Sequence, residues 1–214
     1  TRTWTVENGL PQSTITCMIE ARNGYLWLGT SGGLVRFDGV RFTTFKPSNT
    51  PALRGALIRA LYEDGDGVLW IGAQQGGLTR YHRGEFRNYS VQDGLPHDSV
   101  VTITGDGYGN LWAGTQKGLA RLHSGKIEPV AVDDARFKKG VTALAKGSGD
   151  TLWVGTADDG VVSLKNGVEA AKYPEAGGVS ALHMARDGTL WIGTVHDLAR
   201  LRGGKLEALR TPDG

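Results

Sequence analysis

The sequence predicts an all-β chain built from five copies of one four-stranded antiparallel meander, the blade of a β-propeller. Three observations carry this. The pentapeptides LWLGT (26–30), LWIGA (69–73), LWAGT (111–115), LWVGT (152–156) and LWIGT (190–194) place Trp27, Trp70, Trp112, Trp153 and Trp191 at intervals of 43, 42, 41 and 38 residues. A period of roughly 20 to 50 residues marks a solenoid, propeller or array, and about 42 is longer than most solenoid coils and suits a four-stranded blade. The 33 glycines among 214 residues follow no G-X-Y rule and come with only 7 prolines, so they serve turns rather than a collagen helix or a disordered linker. No stretch holds the 3.6-residue period of a helix.

The elements of the repeat follow in order. Ahead of each tryptophan lies an apolar segment rich in β-branched residues: ITCMIE (15–20), IRALYE (58–63), VVTITG (100–105), VTALAK (141–146) and VSALHM (179–184). Consecutive apolar positions there suit a strand covered on both faces. The small column Cys17, Ala60, Thr102, Ala143 and Ala181 suits a confined space. Asn23-Gly24, Asp66-Gly67 and Asp187-Gly188 then read as hairpin turns into the tryptophan strand. Within that strand, Gly29, Gly72, Gly114, Gly155 and Gly193 would let the next blade's backbone approach closely. The tryptophan acts as a core wedge between blades, since an indole buries roughly 150–250 Å². Third strands follow at 33–37, 77–81, 118–122, 160–164 and 197–201, and a second tight turn leads to a shorter, more polar fourth strand such as 40–45 or 85–90. Blade boundaries fall at about 9–50, 51–93, 94–135, 136–176 and 177–210.

The two ends predict an incomplete part of a larger propeller. RTWTVENGLP (2–11) parallels NYSVQDGLP (88–96), so 2–7 reads as an orphan outer strand, while KLEAL (205–209) already supplies the fifth unit with its own. A closed five-bladed ring is the competing expectation. Open strand edges would invite self-association with another chain.

Composition excludes several classes. Lys+Arg 24 against Asp+Glu 22 leaves a formal charge of +2, with none of the basic excess of a nucleic-acid binder. No apolar run reaches the roughly 18 residues of a membrane span. The single Cys17 forbids an intramolecular disulfide. Candidate chemistry is sparse. Asp64-Gly65-Asp66-Gly67 opens like a calcium loop but lacks the later acidic positions, and reads as a hairpin turn. His82, His97, His123, His183 and His196 are dispersed without zinc spacing, and neither a nucleophile elbow nor a phosphate-binding loop occurs. No metal or cofactor is expected. Arg136, Lys138 and Lys139 form a short basic cluster that reads as a solvated loop, and the recurrent Arg36, Arg80, Arg121 and Arg200 serve the blade, for instance by pairing with a neighbour's carbonyls.

Segment 4–45, together with GLP before the first strand, LW[IVLA]GT in the second and GL.R in the third, resembles the two-component regulator propeller repeats of bacterial sensor proteins. All five units share the resemblance, with Ser163 replacing the arginine in unit four, Asp197 replacing glycine in unit five, and no full GLP in units two, four and five. The resemblance implies a periplasmic sensing domain, usually of more blades, followed by an immunoglobulin-like domain, a membrane helix and a signalling module. It implies no ligand.

The turns between strands one and two, and between three and four, are short and alike. Those between two and three, and the crossovers to the next blade, differ from copy to copy and project from the other end of the strands. Candidate ligand-binding residues there are Ser31, Gln74, Gln75, Gln116, Lys117, Asp158, Asp159 and His196, with Gln12, Arg54, His97, Asp98, Lys138 and Lys139 on the crossovers. Mixed polar groups on one face suit an unidentified small molecule or glycan. The expected function is non-catalytic recognition in a sensor; the alternatives are a propeller lyase acting on a polysaccharide or cyclic peptide, with His97 or His196 as base, and a structural assembly module.

Overall fold

The computed structural model describes residues 4–6, 9–130 and 135–209. Twenty strands form five four-stranded antiparallel sheets, each a meander in chain order. Sheet one holds β1 (Ile15–Glu20), β2 (Leu26–Thr30), β3 (Gly33–Phe37) and β4 (Phe42–Phe45). Sheet two holds β5 (Ile58–Glu63), β6 (Leu69–Ala73), β7 (Gly77–His82) and β8 (Glu85–Tyr89). Sheet three holds β9 (Val100–Gly105), β10 (Leu111–Thr115), β11 (Gly118–His123) and β12 (Lys126–Pro129). Sheet four holds β13 (Val141–Lys146), β14 (Thr151–Thr156), β15 (Val161–Lys165) and β16 (Val168–Tyr173). Sheet five holds β17 (Val179–Met184), β18 (Leu190–Thr194), β19 (Leu198–Arg202) and β20 (Lys205–Leu209). A one-turn helix α1 (Ala135–Lys138) precedes β13. The chain divides into two compact units, residues 1–103 and 104–214, with the division inside β9.

The small column has a register origin. In sheets one, two, four and five the pairing of first and second strands shifts by one residue, so that Cys17, Ala60, Ala143 and Ala181 lie opposite Gly29, Gly72, Gly155 and Gly193. Thr16, Thr142 and Ser180 fall at the shift, and their hydroxyls donate to the carbonyls of Ile58 (2.6 Å), Gly155 (3.2 Å) and Gly193 (3.0 Å). A bulge leaves backbone groups unpaired; the hydroxyls of Thr142 and Ser180 bond within their own sheets, and that of Thr16 reaches the first strand of sheet two.

The strand glycines admit side chain more than backbone, which amends the expectation from sequence. A Cβ on Gly29 would lie 2.9 Å from Ile58 Cγ2, one on Gly72 2.9 Å from Val100 Cγ1, and one on Gly155 2.5 Å from Val179 Cγ1. The first residue of one sheet is thus a knob seated in the glycine hollow of the sheet before it. Around these contacts lie clusters of buried apolar residues. In the first unit Trp27, Leu34, Leu53, Ile58 and Ile71 pack together. In the second, Trp112, Phe137, Val141, Leu152 and Val154 form one cluster and Val161, Val179, Leu190 and Ile192 another.

Of the expected outer strand over 2–7, residues 2, 3 and 7 lie outside the described residues; Trp4 and Thr5 carry no strand assignment and Val6 lies in a 3-10 turn. Trp4 meets Phe37 and Phe42 edge-on at 5.0 and 5.3 Å. Trp4 is thereby packed on the aromatic pair of β3 and β4. Residues 131–134 and 210–214, which include the expected end of blade three and the final Thr-Pro-Asp-Gly, also lie outside, as does the side chain of Arg136.

Candidate functional site

The turns between second and third strands share a base and differ at their tips. Thr30, Thr115 and Thr156 are fully buried at the ends of β2, β10 and β14. Their hydroxyls donate across the turn to the carbonyls of Gly33 (2.8 Å), Gly118 (2.8 Å) and Gly160 (2.9 Å) and accept the N–H of Gly32, Lys117 and Asp159. Thr194 repeats this with Asp197 at 3.0 Å. A buried threonine that closes its own turn leaves the tip side chains without a structural duty. The signal was legible as the final residue of LWxGT, yet sequence reasoning assigned it no role. In sheet two the position is Ala73; there Gln75 adopts φ 56° and donates its N–H to Ser99 Oγ at 3.1 Å.

In the first unit Gln12 and Ser31 are exposed on either side of Gly32, whose absent Cβ would sit 3.1 Å from Gln12 Cγ. Arg54, Gln74 and Gln75 are exposed around the packing of Gly55 against the Gln74 carbonyl. Asp98 is tied in: its carbonyl accepts from Gly77 N–H at 2.7 Å and its Oδ1 from Val91 N–H at 2.9 Å. His97 Nδ1 accepts from Ser99 N–H at 3.0 Å. Asp93 caps the neighbouring 3-10 turn; the N–H and hydroxyl of Ser90 hold its carboxyl below the usual carboxylate range, with Arg54 and Arg87 adding to the effect. The Gln75–Ser99 and Gly77–Asp98 bonds set the β6–β7 turn, with Gln74 and Gln75, beside the crossover that carries His97 and Asp98. Gln12 and Ser31 form a separate pair.

In the second unit the Gln116 carbonyl faces Gly140, and the Gly140 carbonyl accepts from Ala157 N–H at 3.2 Å. This seats the crossover beside the β14–β15 turn, where Lys139 Nζ stands 3.8 Å from both Asp158 and Asp159. Lys117 and Lys138 are exposed nearby in sequence. His196 donates its backbone N–H to Thr194, and none of the described bonds joins it to the Lys139 group.

Two motifs have structural assignments. Asp64 is a tryptophan cap: Oδ2 accepts from Trp70 Nε1 at 2.8 Å, and Oδ1 accepts the N–H of Asp66 and Val68 at 3.0 Å each. Asp106 does the same for Trp112 Nε1 at 3.1 Å and for the N–H of Tyr108 and Asn110. The recurrent arginines pair with carboxylates and rings where backbone carbonyls were expected. Arg121 and Arg200 reach Glu128 and Glu207 on their own fourth strands, each at 2.9 Å, and Arg36 lies 4.6 Å over Tyr25. Among the described residues no group of three His, Cys, Asp or Glu side chains is placed to hold a metal, and no helix is long and apolar enough to cross a membrane.

Five four-stranded antiparallel meanders are the blades of a β-propeller, and the comparisons agree. The family model described as two component regulator propeller matches residues 9–32, 52–75 and 94–117. Among solved structures it is similar to the extracellular domain of a hybrid two component system from B. thetaiotaomicron, with a TM-score of 0.83 and 22% identity over 97% of this chain and 31% of that one. It is also similar to virginiamycin B lyase from Staphylococcus aureus (TM-score 0.75, 17% identity, 95% and 72% covered). A third similar structure is PorZ, a surface component of the type-IX secretion system of Porphyromonas gingivalis (0.64, 15%, 94% and 34%). The chain thus spans about a third of the length of the first of these. Comparison with curated protein sequences finds no significant match.

Proposed function

We propose that this chain is a non-catalytic recognition segment in the extracytoplasmic sensor region of a two-component signalling protein, and that it takes a small polar molecule, such as a saccharide, on its variable turns. The observation that carries the reading is the Thr-closed turn: one base is repeated at Thr30, Thr115 and Thr156, while the tips change from Ser31 to Gln116-Lys117 to Asp158-Asp159. A rigid base under differing polar tips is the arrangement a binding surface needs. The family matches and the likeness to extracellular sensor domains support the setting.

Thermal shift against a panel of glycans and metabolites tests this. A ligand present at about 100 times its Kd adds about 2.7 kcal/mol of stability, a shift of several degrees. The shift is expected to vanish in a Gln74→Ala/Gln75→Ala variant if the first unit binds, or in Lys139→Ala/Asp158→Ala if the second does. A panel without response, or one in which every shift survives both variants, overturns the assignment of the turns.

The similarity to a lyase supports a second reading in which the same fold carries catalysis. It places its general base on His97 or His196. Replacing both with alanine and finding unchanged turnover of a cyclic peptide substrate would end that version.

A further inference from the structure

At the other end of the strands, away from Asp158 and Asp159, a cleft of about 310 Å³ opens between sheets three and four, lined by Trp112, Arg121, Glu128, Val130 and the Asn166–Val168 turn. Its origin lies in one position of the fourth strand. Trp27, Trp70 and Trp153 each meet a ring from their own sheet, Phe45, Tyr89 and Tyr173, at centroid distances of 5.8, 6.0 and 6.0 Å. Trp112 has Val130 there, fixed opposite Leu119 by an N–H to carbonyl bond of 3.1 Å as Phe45 is fixed opposite Leu34. Between sheets one and two the space fills further with Tyr81, 5.1 Å from Trp27, and Phe86, 5.2 Å from Phe45. The matching residues of sheet four are Leu164 and Glu169, the latter paired with Lys172 at 2.8 Å. Three rings are replaced by two aliphatic side chains and a carboxylate, and the volume is left open.

The opening is walled. Gly167 brings its turn over the indole, so that a Cβ there would lie 3.4 Å from Trp112 Cη2 and 3.7 Å from Arg121 Nη1; the counterpart Gly84 has nothing within 4 Å. Because the Trp112 N–H is bonded to Asp106, the indole offers only carbon to the cleft. Arg121 and Glu128, joined at 2.9 Å, present donors and acceptors side by side with no net charge.

We propose that this cleft binds a neutral polyhydroxylated molecule of about monosaccharide size. A vicinal diol donates and accepts from each oxygen and so matches the guanidinium and carboxylate together. An anion would meet Glu128 and a cation Arg121, each at a cost in repulsion. The apolar edge of Trp112 and Val130 faces the ring carbons. The volume is at the small end of ligand sites, which run from roughly 300 Å³, and sets the size.

Titration with D-glucose, followed by the Trp112 indole resonance in ¹H–¹⁵N spectra and assigned with Trp112→Phe, tests the proposal. A saturable shift with a Kd of about 1–10 mM is expected for a ligand of about a dozen heavy atoms. Val130→Phe, which restores the missing ring, is expected to remove the response while the melting temperature holds or rises. Glu128→Gln weakens binding about fivefold or more without unfolding an exposed position. Glucuronate and glucosamine bind more weakly than glucose. Absence of a saturable shift up to about 100 mM glucose, an unchanged shift in folded Val130→Phe, or tighter binding of a charged sugar overturns the proposal. If Val130→Phe does not fold, full retention of binding in Glu128→Gln overturns it and loss supports it.

Discussion

Val179, the first residue of sheet five, occupies the space that a side chain on Gly155 of sheet four would need: a Cβ there would lie 2.5 Å from its Cγ1 and 3.0 Å from its Cβ. Val100 stands in the same relation to Gly72, and Ile58 to Gly29. At Gly193 the nearest atoms to such a Cβ belong to its own sheet, at 3.5 Å and beyond, which is ordinary contact. Gly155→Ala is therefore expected to destabilise by about 1–3 kcal/mol through overpacking, whereas Gly193→Ala is neutral or slightly stabilising because alanine loses less entropy on folding. Urea denaturation of the two variants checks this, and equal losses would show that the hollow is not the cause.

Asp106 is the second test. Burial works against its charge, but bonds from the Asn110 side chain, the Tyr108 N–H, the Trp112 indole and the Asn110 N–H outweigh it and hold the carboxyl below the usual range. A depressed folded value means a contribution that is complete above the unfolded carboxylate range and is lost as pH falls through the folded value. Asp106→Asn should thus cost stability near pH 7, and the gap between it and the parent should narrow towards about pH 3. Urea midpoints at the two pH values measure the difference; a gap independent of pH would assign the effect to packing.

Thr115 tests the turn base. Thr115→Val keeps the shape and removes both the bond to the Gly118 carbonyl and the acceptor for Lys117 N–H. A cost of about 1–3 kcal/mol is expected for groups left unpaired in a buried turn, readable by thermal unfolding. Thr194→Val, at a half-exposed turn, should cost less because water replaces the lost partner.

Lys139 gives the opposite expectation. Its two carboxylates stand at 3.8 Å and all three side chains are at least 31% exposed, so Lys139→Ala should change stability by less than about 1 kcal/mol. Circular dichroism melting checks this, and it makes the variant a clean reagent for ligand binding on that turn.

The chain's local grammar was written in the sequence. All five first strands begin and end at the residues their apolar segments mark, and the tryptophan strands differ from their pentapeptides only by Thr151. Both signals are short-range: a hairpin turn and a β-branched run act within a few residues and need no distant partner. The tertiary structure decided which side chains meet once those strands had paired and packed. Asp64 resembled a calcium ligand until the fold set its carboxylate on Trp70, and the arginine column acquired carboxylate partners only once β11 and β19 had paired with β12 and β20. Lys139 and Asp158 were both placed on variable loops by sequence, but only the seating of Gly140 on two turns brought them together. Val130 stands where sheets one, two and four carry Phe45, Tyr89 and Tyr173. That it leaves a cleft is a matter of what fails to fill the space from the neighbouring sheet, and packing of that kind is settled only in three dimensions.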